Sequence, residues 1–202
     1  MRRRAAGARL VGVDEAGRGP LAGPVVVAAV ALPKEPSAEL CGARDSKLMT
    51  PKGRERLFGV IYSQAVVSVA WAYPSEIDRD NILAATLAAM SRAARRVAVK
   101  AGNGPVLVLV DGPHPIRNFG LPQQTVVDGD AKSLSIAAAS IVAKVVRDRW
   151  MERLNRRHPG YGFAQHKGYG TKSHMAALDR LGVCSAHRRS YAPVTRRIPV
   201  AP

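Results

Sequence analysis

Cysteine is nearly missing from this chain of 202 residues: Cys41 and Cys184 are the only two. Two isolated thiols make neither a zinc site nor a disulfide framework, and they suit a reducing compartment. No apolar run is long enough to span a bilayer. The basic start, Met1-Arg2-Arg3-Arg4-Ala5-Ala6-Gly7, is not followed by a signal-peptide core. The chain is therefore expected to stay in the cytoplasm, without membrane contact. G-x-x-x-x-G-K-[ST] does not occur, so a P-loop for phosphate is not supported. Internal repeats and low-complexity tracts are also lacking. Acid is scarce beside base: 15 Asp and Glu against 31 Lys and Arg give a formal net charge of +16. Polyanions are the natural partners of such a chain. The bland alternative is a solvated basic surface.

What is present reads as one domain over residues 1–202, with about 1–8 and 194–202 loosely ordered. With 47% hydrophobic residues the chain can bury a sizeable core. Leu10 to Val13 reads as a short strand ending at Asp14-Glu15. The apolar run Val25 to Leu32 is a second strand, stopped by Pro33, and Pro36 to Pro51 is loop-like. Val60 to Ala72 is β-branched and alternates weakly, which predicts a third strand. Three successive strands without long helices between them suggest an antiparallel meander. Ser75 is a candidate N-cap for a helix whose apolar stripe is Leu83, Leu87, Met90, Ala94 and Val97, ended by Gly102. Val106 to Val110 is a buried strand ending at Asp111-Gly112, and Gln124 to Val127 another, ending near Asp128-Gly129-Asp130. A long helix covers about Lys132 to Arg156, and a last one runs from near Thr171 to just before Gly182. The basic tail from Ser185 is expected to dock loosely or fray. This order predicts an α/β fold, a mixed sheet with helices packed on it.

Four acids, Asp14, Glu15, Asp111 and Asp130, fall where three apolar strands stop. Carboxylates gathered in one cleft repel each other, and a hard divalent cation such as Mg²⁺ or Mn²⁺ relieves that repulsion. Metal ions so held activate a water and stabilise the leaving oxygen of a phosphodiester. A basic surface around an acidic pocket suits the cutting of a polyanion. Each acid read singly is as well explained by a turn, since Asp-Gly pairs are common there. Adjacent strand residues point to opposite faces, so joint use of Asp14 and Glu15 requires a bend or a backbone ligand. Gly17-Arg18-Gly19-Pro20-Leu21-Ala22 matches a dinucleotide-binding pattern, but Pro20, Gly23, Pro24 and a strand follow where a helix must open. Glycines there instead permit close approach of backbone to a ligand, with exposed N–H and C=O groups suited to a ribose 2′-hydroxyl.

At this point the chain resembles the type 2 ribonuclease H family, bacterial ribonuclease HII, from about Leu10 to Pro193. The matching pieces are Gly12-Val13-Asp14-Glu15-Ala16-Gly17-Arg18-Gly19-Pro20, Asp45-Ser46-Lys47-Leu48, Val110-Asp111-Gly112, Gly129-Asp130, Ala137 to Lys144, and His166-Lys167-Gly168-Tyr169. The first and fifth are long and specific. The resemblance implies a ribonuclease H-like five-stranded mixed sheet flanked by helices, with a small helical C-terminal extension. It implies an endonuclease that hydrolyses the RNA strand of RNA–DNA hybrids and incises 5′ of single ribonucleotides in duplex DNA, as in ribonucleotide excision repair. The attack is by a metal-activated water, with Mn²⁺ or Mg²⁺ as cofactor, and the protein is expected to work as a monomer. Mapped onto this sequence, Asp14, Glu15, Asp111 and Asp130 are the catalytic metal ligands. Gly17, Arg18 and Gly19 read the 2′-hydroxyl, and Tyr169 stacks on the sugar of the following deoxynucleotide. Lys47, Ser140 and Lys144 contact phosphate. One departure is Asp128, where the family often has a basic residue.

Outside these motifs, Arg149, Arg153, Arg156 and Arg157, with Arg188, Arg189, Arg196 and Arg197, are candidates for a duplex-binding surface. Asp148 reads as an ion-pair partner of its neighbours Arg147 and Arg149. The histidines show no metal spacing and are assigned structural roles. Two other functions remain open: a junction-resolving or integrase-like nuclease on the same fold, and a non-enzymatic nucleic-acid binder. The glycine loop argues against the first, and the strand-end acids against the second.

Overall fold

The computed structural model describes residues 7–42, 49–102 and 104–199. Five strands form one sheet in the order β3-β2-β1-β4-β5. They are β1 (Arg9–Ala16), β2 (Val25–Ala31), β3 (Val66–Ala72), β4 (Val106–Asp111) and β5 (Gln123–Val126). The first three pair antiparallel, and β4 and β5 add parallel to β1, as the reading of a mixed sheet requires. The helices are α1 (Ala38–Cys41), α2 (Pro51–Gln64), α3 (Pro74–Asp80), α4 (Ile82–Lys100), α5 (Gly129–Lys132), α6 (Leu134–Arg157), α7 (Phe163–His166), α8 (Lys172–Leu181) and α9 (Ala192–Thr195). Among the described residues no helix is long and apolar enough to cross a membrane.

Alternation along the strands sorts side chains onto two faces. Val11, Val13, Val25, Val27, Val108 and Val110 pack against Leu87, Met90, Ala94 and Val97 of α4. Ala28 and Val30 face Leu57 and Ile61 of α2 and the small residues Ala138, Ala139, Val142 and Ala143 of α6. Burial of Met90 or Val97 is worth about 1.5–3 kcal/mol each. Gly12 has no room for a side chain, because a Cβ would overlap the α6 backbone at Ser135 and Ile136. That close approach seats the start of α6 directly on β1. A third cluster, with Leu21, Ala22, Met151, Phe163, Leu178 and Val194, joins the chain after β1 to the C-terminal helices.

Several expectations need correction. Val60 to Gln64 is the end of α2, not strand, and the strand begins at Val66. Thr50 caps α2 by accepting from the Gly53 N–H, and Pro51 opens it, so a 14-residue helix interrupts the expected meander. Ser75 is not a cap. The Tyr73 N–H is instead bonded by Glu76, and the helix breaks at Asn81 (φ 69°), whose side chain caps α4. The helix expected from Lys132 begins at Leu134, after the short α5 and Ser133. The fourth acid, Asp130, therefore lies within α5, beyond the strand end. The tail after Ser185 is docked firmly: His187 bridges Ala22, and Arg188 is fully buried. Parts of the expected loose ends, residues 1–6 and 200–202, lie outside the described residues.

Candidate active site

Parallel pairing of Val13 with Val110 brings the next residues, Asp14 and Asp111, out at the same edge of the sheet. Val13 packs on the α4 side, so alternation sends Asp14 to the α6 side, where it bonds Ser140, and Glu15 to the α4 side. The anticipated conflict between the two neighbours is settled by position. Glu15 stands at the last rungs, where it borders both a small pocket with Asp111, Leu87 and Met90 and the larger cavity beside Ser140.

Electrostatics tie three of the acids together. Burial, then the charges of Glu15 and Asp111, push the Asp14 carboxyl well above the usual range, against the Glu15 N–H and Ser140 bonds that favour its charged form. Glu15 is also raised, by burial first and by Asp111, with Arg18 opposing at 3.5 Å. Asp111 Oδ1 accepts the Gly129 N–H at 2.8 Å, which anchors α5 to the end of β4. A Cβ on Gly129 would crowd Asp111 and Ile136, so the contact requires glycine. Asp130 is buried, and its carboxylate accepts the Ala131 N–H at 3.0 Å. Asp128 is exposed and holds a left-handed conformation (φ 52°) before α5. Asp14, Glu15 and Asp111 thus stand at the C-terminal ends of β1 and β4, and Asp130 follows the Gly129 that bonds Asp111.

As donors the set suits a hard divalent cation: oxygen ligands at one edge of the sheet, with the Asp14 and Glu15 carboxyls raised by burial and by neighbouring charge. Among the described residues no three Asp, Glu, His or Cys side chains are close enough to enclose one ion.

Beside the acids lies a cavity of about 460 Å³ lined by Glu15, Gly17, Arg54, Ser140, Lys144, Arg147 and Tyr169, among others. Ser140, Lys144 and Tyr169 therefore line one cavity. Lys144 pairs with Asp148 at 2.8 Å, which corrects the expected pairing of Asp148 with Arg147 and Arg149. Lys47, and the Asp45 to Leu48 motif that carries it, lie outside the described residues. Arg54, on α2, was not foreseen; its guanidinium donates to the Met49 carbonyl at 2.6 Å.

Two buried arginines build the glycine loop. Arg147 donates to the carbonyls of Pro24 (3.1 Å) and Ala22 (3.3 Å). Gly17 (φ +98°) lies against it, and a Cβ there would overlap Arg147 Nε. Arg188 donates to the carbonyls of Gly17 (2.6 Å), Arg18 (2.7 Å) and Gly23 (2.9 and 3.0 Å). Neither has a carboxylate partner in the ion pairs found among the described residues. Burial, then the charge of Arg188, lower the Arg147 guanidinium to about 10, so it stays charged at neutral pH. Arg188 is thus removed from the expected surface of arginines. Arg153, Arg156, Arg157, Arg189 and Arg196 remain exposed, Arg149 pairs with Glu55, and Arg197 with Asp179. Gly19 sits beside the half-exposed Tyr169 ring, and the Gly168 carbonyl accepts the Leu21 N–H at 2.8 Å.

Comparison with known proteins identifies the family and the fold. The family described as Ribonuclease HII matches residues 11–194. A relative named Ribonuclease HII from Maricaulis maris (strain MCS10) is 52% identical over 186 residues, 92% of this chain and 83% of its own. The RNase HII of Archaeoglobus fulgidus, solved in complex with PCNA, is 27% identical with a TM-score of 0.76, covering 91% of this chain and 95% of that one. Bst-RNase HIII, solved in complex with Mn²⁺, shares the fold with a TM-score of 0.77 at 19% identity, covering 95% and 69%. The chain belongs to the ribonuclease HII family of nucleases.

Proposed function

We propose that this protein hydrolyses the RNA strand of RNA–DNA hybrids and incises duplex DNA on the 5′ side of a single embedded ribonucleotide, leaving a 3′-hydroxyl and a 5′-phosphate. The observation that carries this reading is one sheet edge where burial and neighbouring charge, that of Asp111 included, raise the Asp14 and Glu15 carboxyls beside a cavity bordered by Gly17, Lys144 and Tyr169. In this reading Asp14, Glu15, Asp111 and Asp130 hold Mg²⁺ or Mn²⁺. When bound, the cation supplies an activated water and positive charge for the leaving oxygen of the phosphodiester. Ser140 and Lys144 hold phosphate, with Lys47 as a further contact. Arg188 engages the carbonyls of Gly17 and Arg18, which leaves the N–H groups of the loop and the Gly19 carbonyl to read the 2′-hydroxyl. Tyr169 stacks on the sugar of the next deoxynucleotide. The exposed arginines hold the duplex backbone. The free thiols of Cys41 and Cys184 support a reducing compartment, the cytoplasm.

The test is a DNA duplex carrying one ribonucleotide, incubated with Mn²⁺ or Mg²⁺ against chelator, beside an RNA–DNA hybrid and an all-DNA control. Metal-dependent cutting of the first two, with the control intact, is expected. Cutting of all-DNA or branched duplexes, indifferent to the 2′-hydroxyl, would move the protein to a different nuclease activity on the same fold.

A further inference from the structure

Beneath the Tyr169 turn three imidazoles lie in contact. His166 and His174 stack with centroids 4.4 Å apart and planes 14° from parallel. His174 Nε2 faces His187 Nε2 at 3.1 Å, and both of these rings are buried. Phe163, Tyr161 and Cys184 close around them, with His158 edge-on to Phe163 and Tyr161.

The backbone partners assign each ring proton, since an N–H can only donate and a carbonyl only accept. The Cys184 N–H donates to His187 Nδ1 at 3.1 Å, so His187 carries its proton on Nε2. That proton points at His174 Nε2, which must accept it. His174 then carries its own proton on Nδ1 and donates it to the Tyr169 carbonyl at 2.9 Å. The Gly168 N–H donates to His166 Nδ1 at 3.2 Å, leaving Nε2–H for the Tyr161 carbonyl at 2.7 Å. Both nitrogens of each ring are used, and each ring is neutral. Burial, with the neighbouring imidazoles, lowers the pKa of His174 and takes that of His187 down to about 4, so this state holds at neutral pH.

We infer that His187 and His174 are positioning residues for Tyr169: a one-way chain of hydrogen bonds runs from the Cys184 N–H through both imidazoles to the Tyr169 carbonyl. The inference rests on the reading of Tyr169 as the residue that stacks on the sugar at the junction. An imidazole accepts at one edge and donates at the other, so two in line carry a single polarity through the core. The Tyr169 carbonyl also accepts the Thr171 N–H at 2.8 Å, which shapes the turn locally. The histidine chain adds a tie to the buried C-terminal segment, which also supplies Arg188 to the glycine loop. Tyr169 and the loop beside it are thereby referenced to one body.

Two substitutions of the same ring separate this role from mere packing. The amide of His174→Asn places an N–H where Nδ1 stood and keeps the bond to Tyr169 while losing His187. The longer amide of His174→Gln reaches toward His187 and loses Tyr169. The readout is kcat/KM on a duplex with one embedded ribonucleotide, divided by kcat/KM on a uniform RNA–DNA hybrid. His174→Asn, which keeps the last link but loses the tie to His187, is expected about three-fold below the unsubstituted ratio, and His174→Gln, which loses the Tyr169 contact itself, on the order of 10-fold below it, as a misplaced contact group costs. Equal ratios in the two variants would overturn the inference. Tyr169→Ala is measured alongside. If it leaves the ratio unchanged, the reading of Tyr169 itself fails; if it lowers the ratio while the two His174 variants agree, only the positioning role fails. Should a variant not fold, ¹⁵N–¹H correlation of the unsubstituted protein at pH 7 decides. Protonated Nδ1 on His174 and protonated Nε2 on His187 are expected, and the opposite tautomer at either ring contradicts the chain.

Discussion

The acidic edge and the glycine loop face the same cavity and bury charge in opposite ways. Asp14 and Glu15 are buried next to like charge, and burial and the neighbouring acids push both carboxyls up. Arg188 is buried more completely, yet Nε, Nη1 and Nη2 all meet backbone carbonyls. A raised carboxyl is a destabilising charge at neutral pH, whereas a guanidinium satisfied by carbonyls fixes the chain around it. The comparison teaches that electrostatic strain is concentrated where the chemistry is assigned, and rigidity where the substrate is read. Functional sites commonly carry such strain, held by a scaffold that is stable elsewhere.

The largest effect that sharpens this contrast is Asp14→Asn. Turnover is expected to fall at least about 10³-fold, as loss of a metal-site acid implies, with duplex affinity little changed because the basic surface remains. Because the folded-state pKa of Asp14 lies above the unfolded value, the ionised side chain costs stability at neutral pH. The same variant should therefore melt higher in metal-free buffer, by roughly 2–4 °C per kcal/mol relieved. A lower melting temperature would break the contrast. On the other side, Arg188→Met strands the carbonyls of Gly17 and Gly23, while the Arg18 carbonyl keeps the Tyr191 hydroxyl at 2.8 Å. It should cost about 3–4 kcal/mol, measured by urea unfolding, together with the preference for ribonucleotide over deoxynucleotide. Gly17→Ala should cost about 2–3 kcal/mol, from its positive φ and the overlap with Arg147. Gly19→Ala, with nothing nearer than the Tyr169 ring at 3.6 Å, should leave stability almost unchanged.

The smallest expected effect is on pH dependence. His187 has a folded-state pKa of about 4 against an ordinary 6.5. Its contribution is fully present above pH 6.5 and is lost as pH falls toward 4, at up to about 1.4 kcal/mol per pH unit for one proton. Asp14 and Glu15 have the opposite sign, since protonation on acidification relieves their repulsion. The urea midpoint of Asp14→Asn should thus fall more steeply on acidification than that of the unsubstituted protein. Equal slopes would contradict the opposition of the two regions.

Strands β1, β2 and β4 were legible because they are continuous apolar runs ended by acid or proline. The α4 stripe and the start of α8 at Thr171 were legible from spacing and capping. Helix α2 was not, because Val60 and Ile61 run into the β-branched Val66 to Val69 and conceal the helix end. The start signal was nevertheless there, Thr50-Pro51 followed by Leu57 and Ile61 four apart. The acids, the glycine loop and Tyr169 stood in specific motifs. Arg188 did not, because an arginine in a basic tail carries no local sign that it will be buried against carbonyls from the other end of the chain. His174 and His187 meet only through tertiary packing, thirteen residues apart, so no spacing rule could pair them.

The most direct measurement is calorimetric titration of Mn²⁺ into the unsubstituted protein and into Asp14→Asn at pH 7, in two buffers of different ionisation heat. Binding to the unsubstituted protein in both buffers, and a marked loss of affinity in Asp14→Asn, are predicted. Equal affinity in the two proteins, or no binding to either, would contradict the assignment of the acidic edge as the metal-dependent catalytic centre.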